Sequence, residues 1–215
     1  MWIGVHNNLR RLLLLSCGTM VGAVVILGAR MTLSYEAAEG TPAEPPTRWP
    51  SASSIHRDDK RFSLVLLAHP DCPCTRASLS ELERIMTNVQ DAVAAVVVFT
   101  KPGASAADAE NTFSWRRAAA IPGVAVRFDD DARETALFGG RVSGQTLLYD
   151  PEGRLTFTGG ITGTRGHEGE NPGSNAVIEQ VRREHQELLH APVFGCSLQD
   201  PTQQELNVNS WWRKR

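Results

Sequence analysis

Two cysteines one residue apart, Cys72 and Cys74 with Pro73 between them, are the residues in this chain best suited to chemistry. A thiolate attacks disulfides and ligates soft metals, and a second sulfur close by can release a mixed disulfide or share a metal ion. The pair lies in the stretch HPDCPCTRASLSEL, His69 to Leu82, after an apolar run and before a helical pattern. At the start of a helix, unsatisfied N–H groups and the macrodipole favour a thiolate over a thiol. Arg76, or His69 when protonated, would add to that effect, and Asp71 would oppose it. A disulfide closed directly between Cys72 and Cys74 would be a small strained ring, hence easily reduced and oxidising. The roles expected from the residues are Cys72 as nucleophile and Cys74 as resolving thiol, with His69, Pro73 and Arg76 shaping the site.

The same sulfurs suit Cu(I), with a third ligand from His69, His167 or Cys196. The metal alternative is therefore Cys72, Cys74 and His167; otherwise no cofactor is expected. Cys196, in Val193-Phe-Gly-Cys-Ser, reads either as a resolving cysteine for Cys72 or Cys74 or as a lone small hydrophobe. His167 lies with Arg165, Glu168 and Glu170 in a glycine-rich insert, residues 159–175, that is too long for a routine connection. It reads as a lip of the active site, a metal ligand or a solvated loop. His185 and His190 read as surface positions on a closing helix. The plainest alternative leaves Cys72 and Cys74 unreactive, in a redox-silent fold used as a scaffold.

Four cysteines, Cys17, Cys72, Cys74 and Cys196, are too few for a disulfide scaffold, and they do not form the two separated pairs of a zinc ribbon. A net charge of -2 over 215 residues gives no basic surplus for nucleic acid. Gly159-Gly160 and Gly163 lack the strand–turn–helix setting of a phosphate loop.

The elements that position the cysteines begin with the N-terminus. Arg10-Arg11 precedes an uncharged, largely apolar run, Leu12 to Ala29, long enough to cross a bilayer. Residues 1–31 therefore read as a single-pass anchor with a cytoplasmic N-terminus and an extracytoplasmic, periplasmic domain. A cleaved signal peptide or a lipoprotein signal using Cys17 are the rivals. All three place the cysteines where they can oxidise, and protein thiols or disulfides of the exported compartment are the expected partners. Residues 32–58, rich in proline and serine, read as an extended linker. Residues 59–192 form the folded domain, and residues 193–215 a tail whose Trp211-Trp212-Arg-Lys-Arg215 end reads as a frayed terminus or a membrane contact.

Within 59–192, Arg61–Ala68 and Val93–Thr100 read as buried strands, with a helix from Thr75 to about Val89 between them. A helix over 105–119, a strand over Val124–Phe128 and a helix capped from Asp129-Asp-Asp131 follow. Gln145–Tyr149 and Arg154–Thr158 make a hairpin across Asp150-Pro-Glu-Gly153, and Val177, Ile178, Val181, Leu188 and Leu189 mark a closing helix. The order β-α-β-α-β-α-β-β-α implies an α/β sandwich of three layers around a mixed sheet.

Strand, cysteine motif, then helix resembles the active-site layout of the thioredoxin-like superfamily. Phe128 to Gly139, followed by GQTLLYD and the Pro-Glu-Gly turn, resembles its membrane-anchored, TlpA-type or peroxiredoxin-like branches. HPDCPCTRASLSEL, SGQTLLYD, GGITGTRGHEGEN and VFGC are similar to the RedB-type proteins. The resemblance implies thiol–disulfide exchange in a membrane-anchored, extracytoplasmic oxidoreductase, or a copper assembly factor. It also places Gly144, or its neighbour, where the superfamily carries a cis-proline facing the cysteines. Without proline the bond is expected to be trans, and Gly144 would shape the docking groove.

Overall fold

The structure, a computed structural model, describes residues 2–41, 43–100, 105–183 and 187–198. The expected break at Lys101–Ala104, His185 and the end at Trp211–Arg215 lie outside them. The chain divides into two units, residues 1–38 and 39–215.

The first unit is one helix, α1, Trp2–Glu36. Its Leu14–Glu36 stretch of 23 residues is long and apolar enough to cross a membrane. A membrane anchor and an export signal both meet that description.

In the second unit the core is a six-stranded mixed sheet in the order β3-β2-β1-β4-β5-β6. β1 is Phe62–Ala68, β2 Val93–Phe99, β3 Val124–Phe128, β4 Gln145–Tyr149, β5 Leu155–Gly160 and β6 Leu189–His190. β1, β2 and β3 run parallel, and β4 pairs antiparallel to both β1 and β5. The central strands are buried on both faces, which explains their unbroken apolar sequences. This is a thioredoxin-like fold, as the element order implies.

α2, Pro73–Val89, follows β1. It packs Leu79, Leu82, Ile85 and Met86 against one face of the sheet, beside α6, Pro172–Arg183. The helix expected over 105–119 is two: α3, Ala106–Glu110, and α4, Phe113–Ala119. The Thr112 side chain accepts from the Trp115 N–H and so starts a new helix inside the expected one. α5, Arg133–Leu137, is capped from a distance, because the Asp129 carboxylate accepts the Glu134 and Thr135 N–H groups at 3.0 and 2.8 Å. Leu188 and Leu189 do not continue the closing helix. Leu189 and His190 form β6, parallel to β5, so His190 stands on an edge strand and not on a helix.

The second face of the sheet is covered by the stretch expected to be a tether. Trp49 sits edge-on to Phe138 and Tyr149, at 5.1 and 5.2 Å between ring centroids. Ile55 is buried with Val65, Leu67 and Leu147. The Tyr149 hydroxyl donates to the Pro46 carbonyl, and Ser53 and Ser54 donate to Glu134. Phe138, Tyr149 and Leu67 would otherwise face water, and proline-rich segments with spaced apolar residues can cover such a surface without being helical.

Candidate active site

β1 ends at Ala68, and the chain turns through His69, Pro70 and Asp71 into α2. Cys72 is the N-cap of that helix, in extended backbone conformation, with Pro73 in its first turn. Proline suits this place because its missing N–H would be unpaired anyway. Cys74 follows one residue later. The turn is braced by Thr75, whose hydroxyl donates to the His69 carbonyl at 2.8 Å and meets Ser143 Oγ at 2.9 Å. Ser143 Oγ also accepts the His69 N–H at 2.9 Å. One buried serine thus ties the cysteine turn to the loop before β4.

That loop carries Gly144 and its neighbour, where the resemblance leads one to expect a cis-proline. There is no cis peptide bond among the described residues, and Gly144 adopts φ +95°. A Cβ there would lie 3.1 Å from Ser78 Oγ on α2, so glycine meets both a conformational and a spatial need.

The third cysteine arrives from the C-terminal segment. Val142 and Ser197 form an antiparallel bridge. The Ser143 N–H donates to the Cys196 carbonyl at 2.8 Å, and the Leu198 N–H donates to Arg141 at 2.9 Å. Phe194 and Leu198 are buried on either side. Gly195 runs against Ser143, whose carbonyl occupies the space a Cβ would need. Held this way, Cys196 Sγ lies 2.9 Å from Cys72 Sγ. A covalent S–S bond is about 2.03–2.05 Å, so less than about 1 Å of closure separates the two sulfurs from a disulfide. All four cysteines are free thiols in the structure.

The glycine-rich insert positions the segment from the other side. Arg165 Nη1 donates to the Gly195 carbonyl at 2.7 Å. The insert is anchored to α2 by Glu81, a buried carboxylate that accepts the Gly169 N–H at 2.6 Å, Asn171 Nδ2 at 3.2 Å and Arg84 Nε at 2.9 Å. Asn171, also buried, caps α6 through the Ser174 N–H. Arg84 also reaches the Ser174 hydroxyl.

Electrostatically the three sulfurs are unequal. Hydrogen bonding from the Cys74 thiol, helped by the Cys196 thiol and by the Cys196 and Thr75 N–H groups, lowers Cys72 to about 4 against the opposing cost of burial. The same hydrogen bond, with burial, raises Cys74 far above the ordinary thiol range, so it remains a proton donor. Burial and its hydrogen bond to Cys72 raise Cys196 to about 11. Arg165 is the cation that offsets part of the rise at both Cys74 and Cys196.

The residues singled out from the sequence fall out as follows. Cys72 and Cys74 are together but buried, at 3% and 6% exposure, and not at an open helix start; Cys196 is the exposed one. His69 points its Nδ1 at the Asp71 N–H, 3.2 Å away. Arg76 is exposed and lies over the Phe113 ring at 5.3 Å. Neither is among the groups that lower Cys72. His167 is exposed, with Nδ1 3.0 Å from the Arg165 carbonyl. The metal set Cys72, Cys74 and His167 is not assembled, and among the described residues no group of three His, Cys, Asp or Glu is arranged to hold a metal ion. Ser143, Thr75, Glu81 and Asn171 are supporting residues that lie inside the motif stretches but whose roles the sequence did not announce.

No protein-family model matches the chain, and no curated protein matches it. Solved structures do. A hypothetical protein from Sinorhizobium meliloti 1021 is 18% identical over 76% of this chain and 98% of its own, with a TM-score of 0.57. An uncharacterized conserved protein from Geobacillus kaustophilus is 15% identical over 77% of this chain and 93% of its own, with a TM-score of 0.49. The exposed lipoprotein thioredoxin of Streptococcus pneumoniae strain TIGR4 is 19% identical over 58% of this chain and 85% of its own, with a TM-score of 0.44. At these identities the likeness is one of fold.

Proposed function

We propose that the chain is a membrane-anchored, extracytoplasmic thiol–disulfide oxidoreductase whose exchanging pair is Cys72 and Cys196. The observation that carries this reading is the 2.9 Å separation of their sulfurs at the N-terminus of α2. Cys72 is the stabilised thiolate, and Cys196 closes on it. Cys74, expected from the sequence to resolve, serves instead as the hydrogen-bond donor that holds the Cys72 charge. The spacing gives the reason: two sulfurs one residue apart can close only a small strained ring, whereas Cys196 approaches across the groove.

Stabilising the thiolate favours the reduced state, and a protein with a favoured reduced state is an oxidant. Its substrates are therefore thiols of exported proteins. α1 supplies the anchor, with Arg10-Arg11 on the cytoplasmic side. The four motif stretches shared with RedB-type proteins support a place beside them among thioredoxin-like chains.

Equilibration of the full-length chain in detergent with glutathione buffers of graded potential, followed by disulfide mapping, tests the proposal. A Cys72–Cys196 disulfide forms and disappears reversibly as the buffer is changed. If neither cysteine changes redox state at any accessible potential, the oxidoreductase reading is wrong.

A further inference from the structure

Given the Cys72–Cys196 pair proposed above, on which this inference rests, the unequal exposure of the two residues assigns their sulfurs different jobs. We infer that a partner thiolate attacks Cys196, and that Cys72 is the sulfur expelled. This reverses the usual division of labour expected from the position of Cys72 at a helix N-terminus.

Exchange at a disulfide requires the attacking, central and leaving sulfurs to line up. Cys196 is exposed, while Cys72 is 3% exposed. An attacker reaching Cys196 comes from solvent and drives the leaving sulfur inward, onto the N-terminus of α2. An attacker aimed at Cys72 would have to reach a buried residue whose hydrogen-bonded neighbour, Cys74, is buried as well. The anchoring of the Cys196 segment reinforces this geometry. Residues 196–198 are pinned to Arg141 and Ser143, and Gly195 is pinned to Arg165, so the outward face of Cys196 is presented while the inward face is fixed.

The chemistry of the two groups agrees. A thiol of low pKa leaves faster, and Cys72 is held near 4 by its hydrogen bonds. In the reverse sense Cys196, raised to about 11 by burial and by its hydrogen bond to Cys72, is a weak nucleophile at neutral pH. The substrate class is a dithiol able to reach the rim at Cys196. Its first thiol loses a proton to solvent and attacks Cys196. A partner–Cys196 bond forms, the Cys72–Cys196 bond breaks, and the electron pair stays on Cys72 as thiolate. The partner's second thiol then attacks the partner sulfur of that mixed disulfide and transfers its proton to Cys196, which leaves as a thiol. The partner is oxidised to a disulfide, the chain is reduced by two electrons, and one proton is released. A more oxidising disulfide compound regenerates the pair.

The test uses the full-length chain in detergent, first oxidised to the Cys72–Cys196 disulfide. Substoichiometric reduced glutathione is added, the reaction is quenched in acid at short times, and free thiols are blocked with N-ethylmaleimide before digestion and mass spectrometry. Glutathione on Cys196, with maleimide on Cys72, is the expected adduct, roughly tenfold or more over the opposite arrangement. Glutathione on Cys72 with Cys196 free overturns the assignment. So does reduction of the disulfide with no adduct on Cys196 at any time. Failure to obtain the starting disulfide would instead sink the oxidoreductase reading itself, so the two failures are distinguishable.

Discussion

At the scale of single residues, the unequal sulfurs fix a proton count. Reducing a Cys72–Cys196 disulfide takes two electrons but only one proton between about pH 4 and about pH 11, because Cys72 is released as a thiolate and Cys196 as a thiol. The midpoint potential should therefore fall by roughly 30 mV per pH unit, half of what a two-proton couple gives. Against glutathione, which takes two protons over pH 5–8, the chain becomes a relatively stronger oxidant as pH rises, with the equilibrium constant increasing about tenfold per unit. A flat constant over that range would show that Cys72 is protonated on reduction. The Cys72–Pro73–Cys74 motif and its place between strand and helix were legible from sequence, since strand and helix periodicity flank it. The partner of Cys72 was not. Cys196 lies 124 positions away, and nothing local distinguishes a cysteine that will cross a groove from one that will pack as a small hydrophobe. His69 and Arg76 were plausible tuners by proximity in sequence, yet the first binds a backbone N–H and the second an aromatic ring.

At the scale of elements, the Cys196 segment is held from three directions: by the 141–143 stretch, by Arg165 and by its own buried Phe194 and Leu198. Gly195 is the narrowest point. Replacing Gly195 with alanine puts a methyl group into the Ser143 carbonyl, so the segment must lift. The expected cost is about 1–3 kcal/mol of stability, typical of overpacking. The more telling consequence is that iodoacetamide should modify Cys72 of the reduced variant several-fold faster than that of the parent. Equal rates would mean that the segment does not cover Cys72. Sequence periodicity located the helices and the β4–β5 hairpin because each carries its own local pattern. It extended the closing helix too far because Leu188 and Leu189 fit helical spacing, whereas pairing with β5 draws Leu189 into a strand. It divided 105–119 too coarsely because Thr112, an ordinary polar residue by composition, acts as a cap.

At the scale of the whole molecule, the proline-rich stretch before β1 belongs to the core. A chain beginning at residue 59 would match the boundary suggested by composition, yet it would lose Trp49 and Ile55 from the second face of the sheet. Truncating a large core side chain costs about 2–5 kcal/mol; with Ile55 buried and Trp49 partly buried, losing both removes a large part of the stability of a domain, about 5–15 kcal/mol. Thermal unfolding should be cooperative for a chain beginning at residue 39 and absent, or shifted down by tens of degrees, for one beginning at 59. Equal melting of the two would mean that the Trp49 contacts contribute little. The Glu81 carboxylate has a consequence of its own at this scale. It draws the backbone of Gly169, in a loop otherwise open to water, into a buried charged acceptor. Over residues 163–170, none of them buried, the Gly169 amide should therefore take up deuterium more slowly than its neighbours, a lagging proton that reports whether α2 still grips its loop.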